Sequence, residues 1–262
     1  KMGYKTKLGQ NCYAGDGIGI SNTPLKCAKE INSFLCGEYN EDISALFSCG
    51  GGELMCEILD DVDFDKIKKS KPVWFLGYSD NTNLTFLLPT ICDITAIYSP
   101  CAPAYGMEPW HPSLKDTFEL LTGKSNMAHG YDKWEKESLK TEENPLVPYN
   151  VTKKTEIKKF GAGKDDAKTE ISGRLIGGCL DCLSNLAGTK FDKVSDFNEK
   201  YKEDGIIWFM ESCDLNPMAI RRAIWQLDHA GWFKYVKGFL IGRPLCLDEE
   251  ILGVDRYNAV YP

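Results

Sequence analysis

The amino-acid sequence predicts an α/β protein built in two halves around mostly parallel sheet. Three observations carry this reading. Short apolar runs of strand length end in glycine-rich or polar turns, residues at helical spacing follow them, and the alternation occurs on both sides of a polar, proline-containing middle. A chain of 262 residues allows one large domain or two modest ones, with enough interior to bury a core, and the alternation favours two.

The elements follow in order. Ile43 to Cys49 reads as a buried strand that ends in Gly50-Gly51-Gly52. Leu54 to Lys69 places Leu54, Ile58, Leu59, Val62 and Ile67 at the spacing of one helix. Lys71 to Gly77 is a second strand, which runs through Tyr78-Ser79-Asp80 into a helix-like stretch from Asn81 to Leu88. Past Ser99, Pro100, Pro103, Pro109 and Pro112 break regularity, and Leu114 to Leu121 reads as a short helix. Gly130 to Asp166 is polar and charged, as expected of a linker or long loop. Leu175 to Leu186 predicts a helix entered through Gly177-Gly178. Gly205 to Met210 is a strongly apolar strand, Pro217 to Ala230 a helix with proline in its first turn, and Lys237 to Gly242 a further strand. The division expected is an N-terminal domain over 1–125, a linker over 126–165 and a C-terminal domain over 166–262.

Composition narrows the function classes. Lys plus Arg number 31 against 38 Asp plus Glu, a net charge of −7 that repels phosphate backbones and supplies no counterion release. Nucleic acid is therefore not an expected partner. No apolar run reaches the ~18 residues that span a bilayer, and the N-terminus lacks the order of a signal peptide, so neither membrane nor secretion is expected. Eleven cysteines, an odd and loosely spaced set, suit a reducing cytoplasm better than a disulfide framework. Cys179-Leu180-Asp181-Cys182 has neither a thioredoxin-like context nor a second pair at zinc spacing, and no metal or cofactor is expected.

Three places carry possible chemistry. Ser79 sits on a sharp turn between an apolar strand and a helix, the arrangement of a nucleophile elbow, although Ser79 or Asp80 could equally cap the helix. Gly50-Gly51-Gly52 leaves backbone N–H groups open to an oxyanion or a phosphate, but no Lys follows and Glu53 disfavours phosphate; a plain tight turn is the alternative. Glu211 stands at the lip of the Ile206 to Met210 strand, where α/β folds bind ligands, or else serves the next helix N-terminus, a role Asp214 fits better. His111, His129 and His229 all lie in contexts unsuited to a general base.

Taken in order, Gly51-Gly52, Ile58-Leu59 with Phe64-Asp65, Trp74 to Thr82, Gly173-Arg174-Leu175-Ile176-Gly177-Gly178, Trp208-Phe209-Met210-Glu211 and Arg222 to Leu227 resemble the serine LD-carboxypeptidases. That family includes the muramoyl-tetrapeptide carboxypeptidases and the microcin C self-immunity peptidases. The resemblance implies a cytoplasmic two-domain hydrolase with its active site between the domains, no cofactor, and a possible homodimer. It implies that Ser79 is the nucleophile, that Glu211 orients a catalytic His, and that the N–H groups of Asp80 and of Gly51 and Gly52 form the oxyanion hole. The family's His is expected beyond Pro262. Gly178 and Cys179 fall on the substrate side, with Cys179 where many relatives carry Asn. Trp134, within Tyr131-Asp132-Lys133-Trp134-Glu135, resembles the residue that stacks on a nucleotide in the immunity branch; packing back on its own domain is the alternative. The expected activity is cleavage of an amide near the C-terminus of a small peptide such as a muramoyl tetrapeptide. The alternatives are a peptidase for a peptidyl-nucleotide antibiotic, a non-catalytic binding protein on the same scaffold, and a nucleotide-binding protein using Gly50-Gly51-Gly52.

Overall fold

The computed structural model describes residues 3–161, 169–246 and 248–260. It has two three-stranded parallel sheets with helices packed on them and a small antiparallel ribbon between them in sequence. Helix α1 (Pro24–Leu35) precedes β1 (Ala45–Phe47), β2 (Trp74–Gly77) and β3 (Ile97–Tyr98), which pair in the order β1-β2-β3. Phe75 and Leu76 of the central strand are 3% and 0% exposed. Burial on both faces is what a near-continuous apolar run in a parallel sheet requires.

The single helix expected over 54–69 is two pieces, a 3-10 stretch at Met55–Asp61 and the short helix α2 (Phe64–Ile67). Asp63 causes the break. Its carboxylate accepts from the Lys66 N–H at 2.9 Å, so it caps α2 instead of continuing the preceding turn. Asn32 of α1 reinforces the corner by accepting from the Asp63 N–H and donating to the Asp61 carbonyl. After β2 come α3 (Thr82–Thr85) and a wider turn at Leu88–Cys92, and α4 (Pro112–Leu121) follows β3.

The second sheet pairs β6 (Arg174–Cys179), β7 (Ile206–Glu211) and β8 (Val236–Ile241) in that order, with α5 (Leu180–Leu186), α6 (Val194–Lys200) and α7 (Pro217–His229) around it. The helix expected from Leu175 is thus a strand up to Cys179. The cause is Gly177-Gly178, extended at φ 150° and 152°, which lets β6 lie against its neighbours with no side chain between. A Cβ on Gly177 would stand 1.7 Å from the Phe209 carbonyl oxygen, and one on Gly178 would stand 2.6 Å from the Thr82 side chain. Only glycine fits at both.

One core runs through both halves. Phe86 from the first half stacks on Trp232 at 5.2 Å between ring centroids, and Trp232 stacks on Trp208 of β7 at 5.6 Å. All three rings are essentially inaccessible to solvent. The interior aromatic stack is therefore shared by the two sheets. In the segment expected to be a linker, β4 (Lys133–Glu135) and β5 (Val151–Lys154) form an antiparallel ribbon. The expected boundary at 165/166 lies outside the described residues.

Candidate active site

Parallel strands send their carboxyl ends the same way, and the two sheets aim theirs at one crevice. Gly50-Gly51-Gly52 follows β1, Ser79 follows β2, Tyr98 ends β3, Cys179 ends β6 and Glu211 ends β7.

Ser79 has φ of 59°, a left-handed conformation that costs a non-glycine residue of order 1–3 kcal/mol. The turn is imposed by its surroundings. Asn81 donates from Nδ2 to the Tyr78 carbonyl and to the Gly50 carbonyl, each at 3.0 Å, and so ties the elbow to the glycine loop. Neither Ser79 nor Asp80 caps α3 with its side chain, and the Ser79 hydroxyl has no hydrogen-bond partner among the described residues. The capping alternative is thereby removed.

Asp80 instead turns its carboxylate onto the glycine loop, where Oδ2 accepts from the Gly52 N–H at 2.9 Å. The expectation that the glycine pair leaves both N–H groups bare is corrected at Gly52, whose donor is engaged by the side chain next to the serine. Gly51 faces the same carboxylate, with a Cβ there only 2.5 Å from Asp80 Oδ2.

Glu211 is held by Tyr98. The phenol donates to Oε1 at 2.5 Å and accepts from the Ser79 N–H at 2.9 Å. A single hydroxyl therefore joins the elbow to the acid across the two halves. Burial pushes the Glu211 carboxyl above its ordinary range; the Tyr98 bond and the nearby Cys179 thiol pull it back, and the Asp181 charge adds to the rise. The Tyr98 phenol is pushed up by burial and by the same carboxylate, so it stays a donor. Helix α7 takes its cap from Asn216, which accepts from the Ala219 N–H at 2.9 Å. Neither Glu211 nor Asp214 is needed for that.

Gly178 and Cys179, expected to face substrate, are buried in the seam between the halves. The Cys179 N–H donates to Thr82 Oγ1 at 2.9 Å, and its thiol donates to Asp181 at 3.2 Å. The neighbouring Cys182 thiol, burial and the Glu211 charge push the Cys179 thiol well up, so it is a neutral donor. Asp181 also accepts from the N–H groups of Cys213 and Asp214, clamping the turn that follows Glu211. Burial acts against its ionisation, but these backbone and thiol bonds win and its pKa is lowered. At the rim, Glu53 is pushed up, first by Asp80, then by Asp214, burial and Asp181.

None of the three histidines has a hydrogen bond to Ser79 or Glu211. His111 bonds Ser113 at 2.8 Å, His129 bonds Asp116 at 2.8 Å, and His229 bonds the Trp225 carbonyl while stacking on its ring. Among the described residues no group of His, Cys, Asp or Glu could hold a metal ion. No helix of the described residues is long and apolar enough to cross a membrane.

Trp134 lies in β4, in a cleft of about 340 Å³ bordered by His111, Tyr131, Lys133, Tyr149 and Arg243. Its indole donates to the Lys154 carbonyl at 3.1 Å, and the Arg243 guanidinium lies 4.1 Å from the ring centroid. Burial pushes the Tyr149 phenol up to about 12, with Tyr78, Glu135 and Tyr105 adding to it.

Sequence reasoning missed Tyr98, Asp181 and Thr82. Tyr98 carried only the signal of an aromatic hydroxyl closing the short apolar run Ala96-Ile97-Tyr98. Thr82 carried none.

The chain matches the LD-carboxypeptidase N-terminal domain over residues 1–99 and the LD-carboxypeptidase C-terminal domain over residues 172–259. It is 31% identical to the Microcin C7 self-immunity protein MccF of Escherichia coli over 232 residues, 85% of this chain and 62% of that protein's length. A solved structure of MccF in complex with glutamyl sulfamoyl guanosine shares the fold at a TM-score of 0.71 and 22% identity, covering 96% of this chain and 72% of that one. A muramoyltetrapeptide carboxypeptidase structure from Oxalobacter formigenes gives a TM-score of 0.58 at 20% identity, over 88% of this chain and 64% of that one. With both of its halves matched in order, the chain belongs to the LD-carboxypeptidase family.

Proposed function

We propose that the protein is a serine carboxypeptidase that hydrolyses an amide near the C-terminus of a small peptide, of the muramoyl tetrapeptide kind, through an acyl-enzyme on Ser79. The observation that carries this reading is the left-handed Ser79 at the end of β2, joined through one tyrosine hydroxyl to Glu211 at the end of β7. In this reading Ser79 Oγ attacks the carbonyl carbon and the developing oxyanion is met by the N–H groups of Gly51 and Asp80. Glu211 orients the family's catalytic imidazole, a role that none of His111, His129 and His229 fills as they are placed, and that imidazole takes the serine proton. The acyl-enzyme is then released by water. The division at the 126–165 segment, with the nucleophile before it and the acid after it, belongs to the same proposal.

A second reading, cleavage of a peptidyl-nucleotide, is favoured by the Trp134 cleft. An indole face with Arg243 and Lys133 beside it suits an aromatic base carrying an anionic link. The related MccF is a self-immunity protein solved with aminoacyl sulfamoyl nucleosides. The experiment is to incubate the protein with a muramoyl tetrapeptide and, separately, with an aspartyl sulfamoyl nucleoside, and to follow amide cleavage by mass spectrometry. Turnover lost in Ser79→Ala supports the mechanism, and the substrate consumed selects the reading. No turnover of either, with the nucleoside bound in calorimetry, replaces both by a binding protein.

A further inference from the structure

Cys12 and Cys49 stand apart from the other cysteines. Their Sγ atoms are 3.1 Å apart, with Cys49 exposed and Cys12 partly so. Among the remaining nine, six are buried and three half-buried.

Each thiol is held by its own backbone, so the approach is built in. Asn11 fixes the Cys12 side, where its N–H donates to Glu30 at 2.6 Å and its side chain donates to the Lys26 carbonyl at 3.1 Å, both on α1. Ser48 and Gly50 fix the Cys49 side. The Ser48 N–H donates to the Leu76 carbonyl at 2.9 Å, its carbonyl accepts from Ala102 at 2.8 Å, and the Gly50 carbonyl accepts from Asn81.

We propose that Cys12 and Cys49 are a modification site, a thiol pair that closes reversibly to a disulfide by exchange with a low-molecular-weight disulfide of the glutathione kind. One thiol of the pair loses its proton, and the thiolate attacks one sulfur of the small disulfide. A mixed disulfide forms and one thiolate leaves, taking up a proton. The second protein thiol then loses its proton and attacks the protein-side sulfur of that mixed disulfide, which expels the second small thiolate. Two protein thiols are oxidised by two electrons and one small disulfide is reduced to two thiols. A disulfide bond of about 2.05 Å needs the sulfurs to move only about 1 Å closer than they already lie. Partial desolvation beside Cys12 and the Cys12 thiol itself push the Cys49 thiol up, and because the attacking species is the thiolate, exchange runs faster as pH rises.

The bond would tie the residue immediately before Gly50-Gly51-Gly52 to the segment at Asn11. Any effect on an oxyanion at Gly51 rests on the serine peptidase reading; the bond itself does not.

The test is to expose the native protein to oxidised glutathione at mildly alkaline pH, block remaining thiols with iodoacetamide in denaturant so that the buried cysteines are reached, and map peptides without reduction. The expected result is one peptide pair linked through Cys12 and Cys49, nine of eleven thiols alkylated, and full recovery with dithiothreitol. Cys12→Ser and Cys49→Ser should each stop at one glutathione adduct on the partner cysteine. Linkage of any other pair, stable adducts on both Cys12 and Cys49, or eleven thiols retained would overturn the proposal. The mapping of the unsubstituted protein stands whether or not the serine variants fold, and whether or not Ser79 proves catalytic.

Discussion

The strand-end crevice and the Trp134 cleft are built on different principles. The crevice is floored by the ends of two parallel sheets, and each of its groups is held from a second element: Ser79 by Tyr98, Asp80 by the glycine loop, the turn after Glu211 by Asp181. The cleft is walled by a two-stranded ribbon of seven residues, by loop residues and by an exposed arginine. Groups that must keep their geometry through a reaction need the first kind of support, whereas recognition of a flat ring needs only a surface at the right distance. Under the proposed function, chemistry belongs to the crevice and discrimination between substrates to the cleft.

Substitutions can break that assignment. The largest effect is expected at Ser79→Ala, where amide turnover should fall by about 10⁴-fold or more with little change in substrate affinity. Comparable loss in Trp134→Ala would reverse the assignment. Trp208→Ala should cost about 3–5 kcal/mol in denaturant unfolding, because the stack of Phe86, Trp232 and Trp208 passes between the halves. A change below 1 kcal/mol would mean that the two sheets do not share a core.

Tyr98→Phe should leave KM near its original value and lower kcat by about 10–100-fold, the range given by losing one hydrogen bond to a charged group. It should also move the acid limb of the rate profile. The Tyr98 bond lowers the Glu211 pKa against burial, so its removal lets that pKa rise further and the limb shifts to higher pH. An unmoved limb would detach Glu211 from the reaction. Trp134→Ala should weaken binding of a nucleoside-bearing substrate by about 1–3 kcal/mol in calorimetry and leave a muramoyl peptide unaffected. Smallest is Asn216→Ala, which removes the α7 cap at a cost of about 1 kcal/mol of unfolding free energy and should not touch kcat.

Much of the crevice was legible because its parts depend on local patterns. An apolar run followed by Gly-Tyr-Ser-Asp marks a strand and an elbow, and Glu211 declares itself by closing the most apolar strand of the chain. What escaped depends on contacts between distant residues. Leu175 to Cys179 reads as helix from the sequence because a short apolar run has no decisive period; the strand follows from glycines that must touch Phe209 and Thr82. Tyr98 meets Glu211 across 113 residues, a pairing no spacing rule reports. The β4–β5 ribbon reads as linker in the sequence because Lys-Trp-Glu and Val-Thr-Lys-Lys bury no face, and strand patterns are read from burial. Asp63 split an expected helix by capping its second part, which an Asp three residues before Lys66 could have suggested.

The glycine pair in β6 has a further meaning for variation in this chain. At Gly177 and Gly178 nothing separates β6 from the Phe209 carbonyl on one side and the Thr82 side chain on the other. A methyl group at either position acts as a wedge, and the easiest way to make room is to part the strand bearing Glu211 from the helix behind Ser79. Under the proposed function, damage to activity can thus enter through two positions that take part in no chemistry, as a misalignment of Glu211 against Ser79.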